Sequence, residues 1–158
     1  MRPASINEIK QELTSLPQKR LIELCLRLAE YKKENKELLT YLLFEEQDEQ
    51  AFVELVNKET DEKFSELPKA TTYLTTKALR KIVRIITKYS RYMDSKESEM
   101  EMRIHFCNRL KESGIRIHRD KAIFNLYSRQ LLKLNELKKS LHEDLAFDFG
   151  RRIEPLLI

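Results

Sequence analysis

The segment Lys77–Met93, KALRKIVRIITKYSRYM, carries six positive charges and no negative one. Five of the cations follow one another at spacings of 4, 3, 4 and 3 residues, which places them on one face of an α-helix. We call these five residues the basic strip: Lys77, Lys81, Arg84, Lys88 and Arg91. Such a row of cations can neutralise nucleic-acid phosphates or pair with carboxylates. The strip is therefore the candidate partner-binding face of the chain.

The apolar residues of the same segment indicate how the strip would be positioned. Leu79, Ile82, Ile86, Tyr89 and Met93 recur with helical spacing on nearly the opposite face. This face is predicted to pack on a core, so that the basic strip looks outward or towards something negative.

An acidic segment precedes the basic strip. Residues 44–66 contain nine carboxylates and two lysines, whereas residues 69–91 contain seven cations and no carboxylate. Three interpretations remain open: a solvated or internally matched face, a face for a protein partner, and a face for nucleic acid. The strip has no Asn or Gln to read a base, so nucleic-acid binding would be independent of sequence.

Residues for catalysis or metal binding do not form a recognisable motif. The histidines His105, His118 and His142 are far apart, and His105 and Cys107 point in different directions on a helix. The chain has no Gly-rich phosphate loop and no Gly-x-Ser-x-Gly elbow. We predict a protein that is not an enzyme and uses no metal or cofactor.

Composition favours an all-α fold. Of the 158 residues, 35% are charged and 41% hydrophobic, with only two glycines and four prolines. Such chains form amphipathic helices, and so few turn residues argue against a β-protein. No apolar run is long enough to span a membrane, which favours a cytoplasmic protein. Cys25 and Cys107 lie within apolar patterns and are predicted to be buried thiols.

The positions of capping residues and apolar repeats predict about seven helices. Ser5 with Glu8, and Ser140 with Glu143, have capping-box spacing; Ser15 is a third candidate cap, and Gly114 a candidate left-handed C-cap. Apolar stripes are predicted to face inward along several of these helices, including Leu21, Leu24, Cys25, Leu28 and Tyr31 in the second and Ile123, Leu126, Tyr127, Leu131 and Leu134 in the seventh. The predicted ranges of the later helices are about 35–44, 48–58, 71–93, 95–113 and 120–139, with a last helix ending near residue 150.

We predict that these helices form one domain, residues 1–158. Antiparallel pairs would form either a bundle or a short curved stack similar to HEAT or armadillo repeats. The C-terminal segment RRIEPLLI is apolar enough to dock on the body. Neither the partner nor the oligomeric state can be predicted from these patterns.

Two segments resemble a family of small, uncharacterised, all-helical bacterial proteins. They are IKQELTSLPQKRLIELCLRLAEYKKENKELLTYLL and KALRKIVRIITKYSRYMDSKESEMEMRIHFC, which together cover somewhat less than half of the chain. The resemblance implies a bacterial cytosolic helical protein. No activity is assigned to that family, so it implies no functional residue.

The expected function is therefore a non-catalytic helical interaction module that binds another macromolecule. The alternative is a sequence-independent nucleic-acid-binding protein that uses the basic strip.

Overall fold

The computed structural model describes all 158 residues and confirms the all-α fold class. It contains eight α-helices and no strand: α1 Ile6–Thr14, α2 Gln18–Tyr31, α3 Lys33–Thr40, α4 Glu49–Ser65, α5 Thr72–Met93, α6 Lys96–Glu112, α7 Lys121–Lys139 and α8 Glu143–Ile153. A π-helical turn, Tyr41–Glu45, and a 3₁₀ turn, Glu46–Asp48, lie between α3 and α4. Further 3₁₀ turns precede α7 at Ile117–Arg119 and follow α8 at Glu154–Leu156.

Contacts within the chain group it into two compact units. The N-terminal unit comprises Met1–Phe44 and the C-terminal unit comprises Glu45–Ile158. The prediction of one domain over residues 1–158 stays a prediction.

The helices of the C-terminal unit, referred to as the bundle, pack around α6. This helix contacts α4, α5, α7 and α8. The helices that pack together lie one or two positions apart along the chain, so the predicted alternatives of a bundle and a short stack both fit these contacts. Most of the circumference of α6 is buried, including Met100, Met102, Ile104, Phe106 and Cys107, whereas one polar stripe, formed by residues 97, 101, 105, 108 and 112, is not. A helix with so wide a buried face contributes to the core against several neighbouring helices.

Local capping signals were predicted correctly at two places. At the start of α1, Glu8 N donates to Ser5 Oγ (3.3 Å) and Ser5 N donates to Glu8 Oε2 (2.6 Å), which is a complete capping box. Gly114 adopts φ 75° directly after α6 and its C-cap, as expected for a left-handed terminator.

Two other predicted caps are wrong. The hydroxyl of Ser15 donates to Glu12 O, and that of Ser140 donates to Leu137 O, so each serine ends the preceding helix. Serine satisfies a carbonyl three residues back as readily as it caps a following turn. Instead, α2 follows Pro17 and α8 follows His142. α4 continues to Ser65, so the segment after residue 58, which the sequence pattern indicates to be irregular or helical up to Leu67, is mostly helical; α8 continues through Gly150.

The three helices of the N-terminal unit do not form a hydrophobic core among themselves. No residue of α1, α2 or α3 is buried, and Ile6 and Tyr31 keep 80% and 77% of their surface exposed. The predicted inward stripe of α2 is therefore wrong, and Cys25 is exposed. Periodicity shows that a face is apolar, but burial needs a second surface against it, which three short helices do not supply.

A buried arginine joins three helices of the C-terminal unit. Arg103 on α6 is 5% exposed, and its Nε donates to Glu99 Oε1 (2.7 Å). Its Nη1 donates to Gln130 Oε1 on α7, and its Nη2 lies 3.4 Å from Thr87 Oγ1 on α5. A buried guanidinium is tolerated only when its donors are paired in this way.

The C-terminal segment docks on the bundle through polar contacts as well as apolar burial. Tyr127 Oη donates to Leu156 O (2.7 Å), and Lys111 Nζ donates to Pro155 O (2.6 Å). Arg152 forms a two-pronged ion pair with Glu101 on α6. Leu156 is 1% exposed, which confirms the predicted docking of this segment.

Replacing the buried arginine should destabilise the bundle. Arg103→Ala leaves Glu99 and Gln130 without their donor, and loss of one member of a buried pair costs about 3–5 kcal/mol. Urea denaturation measures this loss. Arg116→Ala, at an exposed position, is the control and is expected to change stability by less than about 0.5 kcal/mol. A loss below about 1 kcal/mol for Arg103→Ala would contradict the structural role of the network.

Two buried groups should make the fold sensitive to alkali. Burial raises the pKa of the Cys107 thiol to about 12, against smaller opposing effects of Arg103 and Lys111. Burial also raises the pKa of Tyr127, and the nearby Cys107 adds to this shift. Because both folded-state pKa values exceed the unfolded ones, the folded chain keeps its protons while the unfolded chain loses them. Stability is therefore fully present below about pH 9 and falls as pH rises towards 12.

The contribution of Cys107 is measurable as a slope. Between about pH 9.5 and 11.5, Cys107→Ala should remove up to about 1.4 kcal/mol per pH unit from the fall in unfolding free energy. Urea denaturation across this range gives the slope for each variant. Cys25→Ala, at an exposed position, is the matched control and should fall as steeply as the wild type. Identical slopes for all three proteins would show that Cys107 is not the group that titrates.

Candidate macromolecule-binding face

The basic strip lies on the solvent side of α5. Lys77, Lys81, Arg84 and Arg91 are exposed. Lys88 is half-buried, with its ammonium 4.6 Å from the centroid of the Tyr89 ring. The predicted orientation of the five strip residues thus matches the structure.

The opposite face of α5 holds the strip in place. Leu79, Ile82 and Ile86 are at most 1% exposed, and Met93 is also buried. Tyr89, which was predicted to be inward, is half-buried and packs edge-to-face against Phe52, with 5.4 Å between ring centroids. A long helix with so complete an apolar face is fixed in rotation, so its cations all face one way.

Both ends of α5 are encoded locally. Thr71 Oγ1 accepts a hydrogen bond from Leu74 N (3.3 Å), which caps the first turn. Asp94 adopts a left-handed conformation, φ 48°, and ends the helix after Met93. The carboxylate of Asp94 is the first negative charge after the strip.

Three acidic residues of α4 contact α6 or another residue of α4. Asp61 Oδ1 lies 2.8 Å from both His105 Nε2 and Arg109 Nε on α6. Glu59 is 3.5 Å from Lys63 within α4. Glu49 accepts a hydrogen bond from Ser98 Oγ on α6. These carboxylates therefore do not pair with the cations of α5. The negative charge of residues 44–66 and the positive charge of residues 69–91 do not neutralise each other through these contacts.

Four residues of the strip have no carboxylate partner. No ion pair within 4.0 Å forms at Lys77, Lys81, Arg84 or Arg91. On α5 the like-charge pairs at i, i+4 spacing are Lys77–Lys81, Arg80–Arg84 and Arg84–Lys88, and each disfavours the isolated helix by a few tenths of a kcal/mol. Packing of the opposite face must therefore compensate for this repulsion.

A second helix adds cations that the sequence did not assign to the site. α7 lies beside α5, and the two helices enclose an open groove of about 580 Å³. It is lined by Arg80, Val83 and Arg84 from α5, and by Lys121, Ala122, Asn125, Leu126, Arg129 and Gln130 from α7. Four of these nine residues are cationic and none is acidic.

The residues that sequence reasoning missed are Lys121, Asn125 and Arg129. Their spacing of four residues puts them on one face of α7, and this much is visible in the sequence. Nothing in the sequence, however, shows that this face adjoins α5. Arg80, the sixth cation of the segment Lys77–Met93, belongs to the same groove.

No protein-family model, curated protein or solved structure matches this chain. The resemblance to small helical bacterial proteins therefore stays a prediction. The site must be interpreted from its own geometry.

Other candidate sites hold less excess charge. A cavity of about 700 Å³ lies at one end of the bundle, lined by the ends of α4 and α6 and the starts of α5 and α7. Its Arg109 is already bridged to Asp61 and to Glu112 (3.1 Å). Its Asp120 caps α7 by accepting from Ala122 N and Ile123 N.

Two further findings concern metals and membranes. No group of three or more His, Cys, Asp or Glu side chains is arranged to hold a metal ion. His105 contacts Asp61, whereas Cys107 is fully buried in the core, so the two do not converge. None of the helices combines the length and the apolar character needed to cross a lipid bilayer.

Removing cations from the strip should not weaken the fold. Lys81→Gln/Arg84→Gln relieves like-charge pairs on α5, so the unfolding free energy should stay constant or rise by about 0.5 kcal/mol at low salt. Thermal and urea unfolding at two salt concentrations measure this. Lys58→Gln/Lys139→Gln, at exposed positions on α4 and α7, removes the same charge as a control. A loss above about 1 kcal/mol in the strip variant alone would mean that the strip is internally paired.

Proposed function

We propose that this protein is a non-catalytic interaction module whose C-terminal unit binds an anionic surface of another macromolecule through the basic strip of α5. The observation that carries the proposal is that four of the five strip cations are exposed on one face and have no carboxylate within ion-pairing distance. The proposal keeps the cytoplasmic location expected from the sequence.

The physical argument is electrostatic complementarity. Unmatched like charges on a rigid face disfavour the free protein slightly and gain favourable interactions when a partner neutralises them. The length of the row also matters, because at 1.5 Å per residue the strip from Lys77 to Arg91 extends over about 20 Å. A row of that length suits a repeated anion on a macromolecule better than one small ion.

The alternatives differ in the partner. An acidic protein would present carboxylates, and a nucleic acid would present phosphates. Either would engage the strip, so a test of the proposed function must ask first whether the strip, and not the net charge, decides binding to a polyanion.

Salt elution from immobilised heparin tests the role of the strip. Lys77→Gln/Lys81→Gln/Arg91→Gln should elute at clearly lower salt than the wild type, because the contiguous row is broken. The matched control, Lys58→Gln/Lys139→Gln/Arg151→Gln, removes the same charge from exposed residues of α4, α7 and α8 and should shift elution much less.

Equal elution of the two triple variants would contradict the proposal. In that case net charge alone would govern retention, and the arrangement of the strip would have no binding role. Circular dichroism of both variants checks that each remains helical.

A further inference from the structure

We infer that the groove between α5 and α7 binds the sugar–phosphate backbone of a double-stranded nucleic acid. This inference rests on the proposed function and names its ligand class. The juxtaposition that carries it is two cationic walls, Arg80 and Arg84 on one side and Lys121 and Arg129 on the other, around a groove with no acidic lining.

The walls present phosphate-binding groups at regular intervals. All four cations are exposed, and none forms an ion pair within 4.0 Å. On α7 the i, i+4 spacing from Lys121 to Arg129 covers about 12 Å of helix, and on α5 the basic strip continues the row beyond the groove. Each guanidinium offers paired donors that match phosphate oxygens.

The groove lacks the aromatic and large apolar side chains that would hold a single-stranded nucleic acid or a peptide. No aromatic residue lines it, so unpaired bases would have no ring on which to stack. Its apolar residues are Val83, Ala122 and Leu126, whereas protein partners are usually held by large buried anchors. A regular backbone of phosphates, contacted from outside, is the ligand that this lining fits.

The two amide side chains in the groove, Asn125 and Gln130, indicate binding that does not depend on the base sequence of the nucleic acid. Gln130 is buried, and its Oε1 already accepts from Arg103, so its carbonyl is not available to a base. Asn125 alone is an exposed amide, and one amide cannot specify a sequence. The start of α7 is capped by Asp120, so the side chains, rather than the helix terminus, must supply the contacts.

The groove walls are held in place by the buried network beneath them. Arg103 bonds to Gln130 on α7 and lies 3.4 Å from Thr87 on α5, one turn from Val83, whose carbonyl accepts from Thr87 Oγ1. The two helices therefore need not rearrange on binding. Only the side chains of the groove walls lose flexibility, which limits the entropic cost of binding.

Fluorescence anisotropy of a labelled 20-base-pair DNA duplex, with the full chain at 50–200 mM salt, tests the inference. Four phosphate contacts predict a log–log salt slope of roughly −3.5, which corresponds to a fall in affinity of roughly 100-fold over this range. Arg84→Gln/Arg129→Gln should reduce the slope to roughly −2 and weaken binding at least 10-fold at low salt. Lys139→Gln/Arg151→Gln, with the same change in charge, should stay close to the wild type.

A polyglutamate peptide of similar length is the second ligand in this experiment. Duplex binding that depends on the groove pair, with much weaker polyglutamate binding, supports the inference. Equal weakening by the groove pair and the control pair, or polyglutamate binding as tight as the duplex, would overturn it.

The two proposals fail in different ways. If the duplex does not bind but heparin retention still depends on the strip, the nucleic-acid inference is wrong and the proposed function stands. If neither the duplex nor heparin distinguishes the variants from their controls, both are wrong. Unfolding midpoints of the variants show whether any loss reflects a damaged fold.

Discussion

The buried guanidinium of Arg103 is the constraint on which the C-terminal unit depends. A charge in the middle of a helical core is costly unless its donors are satisfied, and the residues that satisfy it come from α5, α6 and α7. Its hydrogen bond to Gln130 ties α6 to α7, and its 3.4 Å contact with Thr87 reaches α5.

That constraint has a consequence at the surface. Arg103 bonds to Gln130 on the inner side of α7. The outer face of α7, with Lys121 and Arg129, lies beside the face of α5 that carries Arg80 and Arg84. The carboxylates of α4 that could have neutralised these cations instead contact α6 or lie along α4. Charge is thus segregated by the packing of the helices, and Arg80, Arg84, Lys121 and Arg129 form no ion pair within 4.0 Å.

Some of the structure could be predicted because it depends on local interactions. The bounds of α5 differ from those predicted by at most one residue, since Thr71 and the apolar repeat that follows act within a few turns. The buried side of α7, from Ile123 to Leu134, was also predicted correctly. Cys107 and Cys25 show the limit: both lie in apolar patterns, but only Cys107 has other helices packed around it. Ser15 and Ser140 were misassigned because a serine can bond backwards as well as forwards.

The sequence by itself determined the all-α class, the face on which the basic strip lies and the burial of the opposite face, because helical periodicity relates residues three and four apart without reference to the rest of the chain. Tertiary structure alone decided that α6 is the centre, that α4 pairs with α6 and that α7 lies beside the strip. These relations join residues far apart in sequence. They depend on how side chains of different helices pack together and, between α5, α6 and α7, on the hydrogen bonds of Arg103. No periodic pattern in the sequence encodes the packing between helices or the partners of a buried arginine.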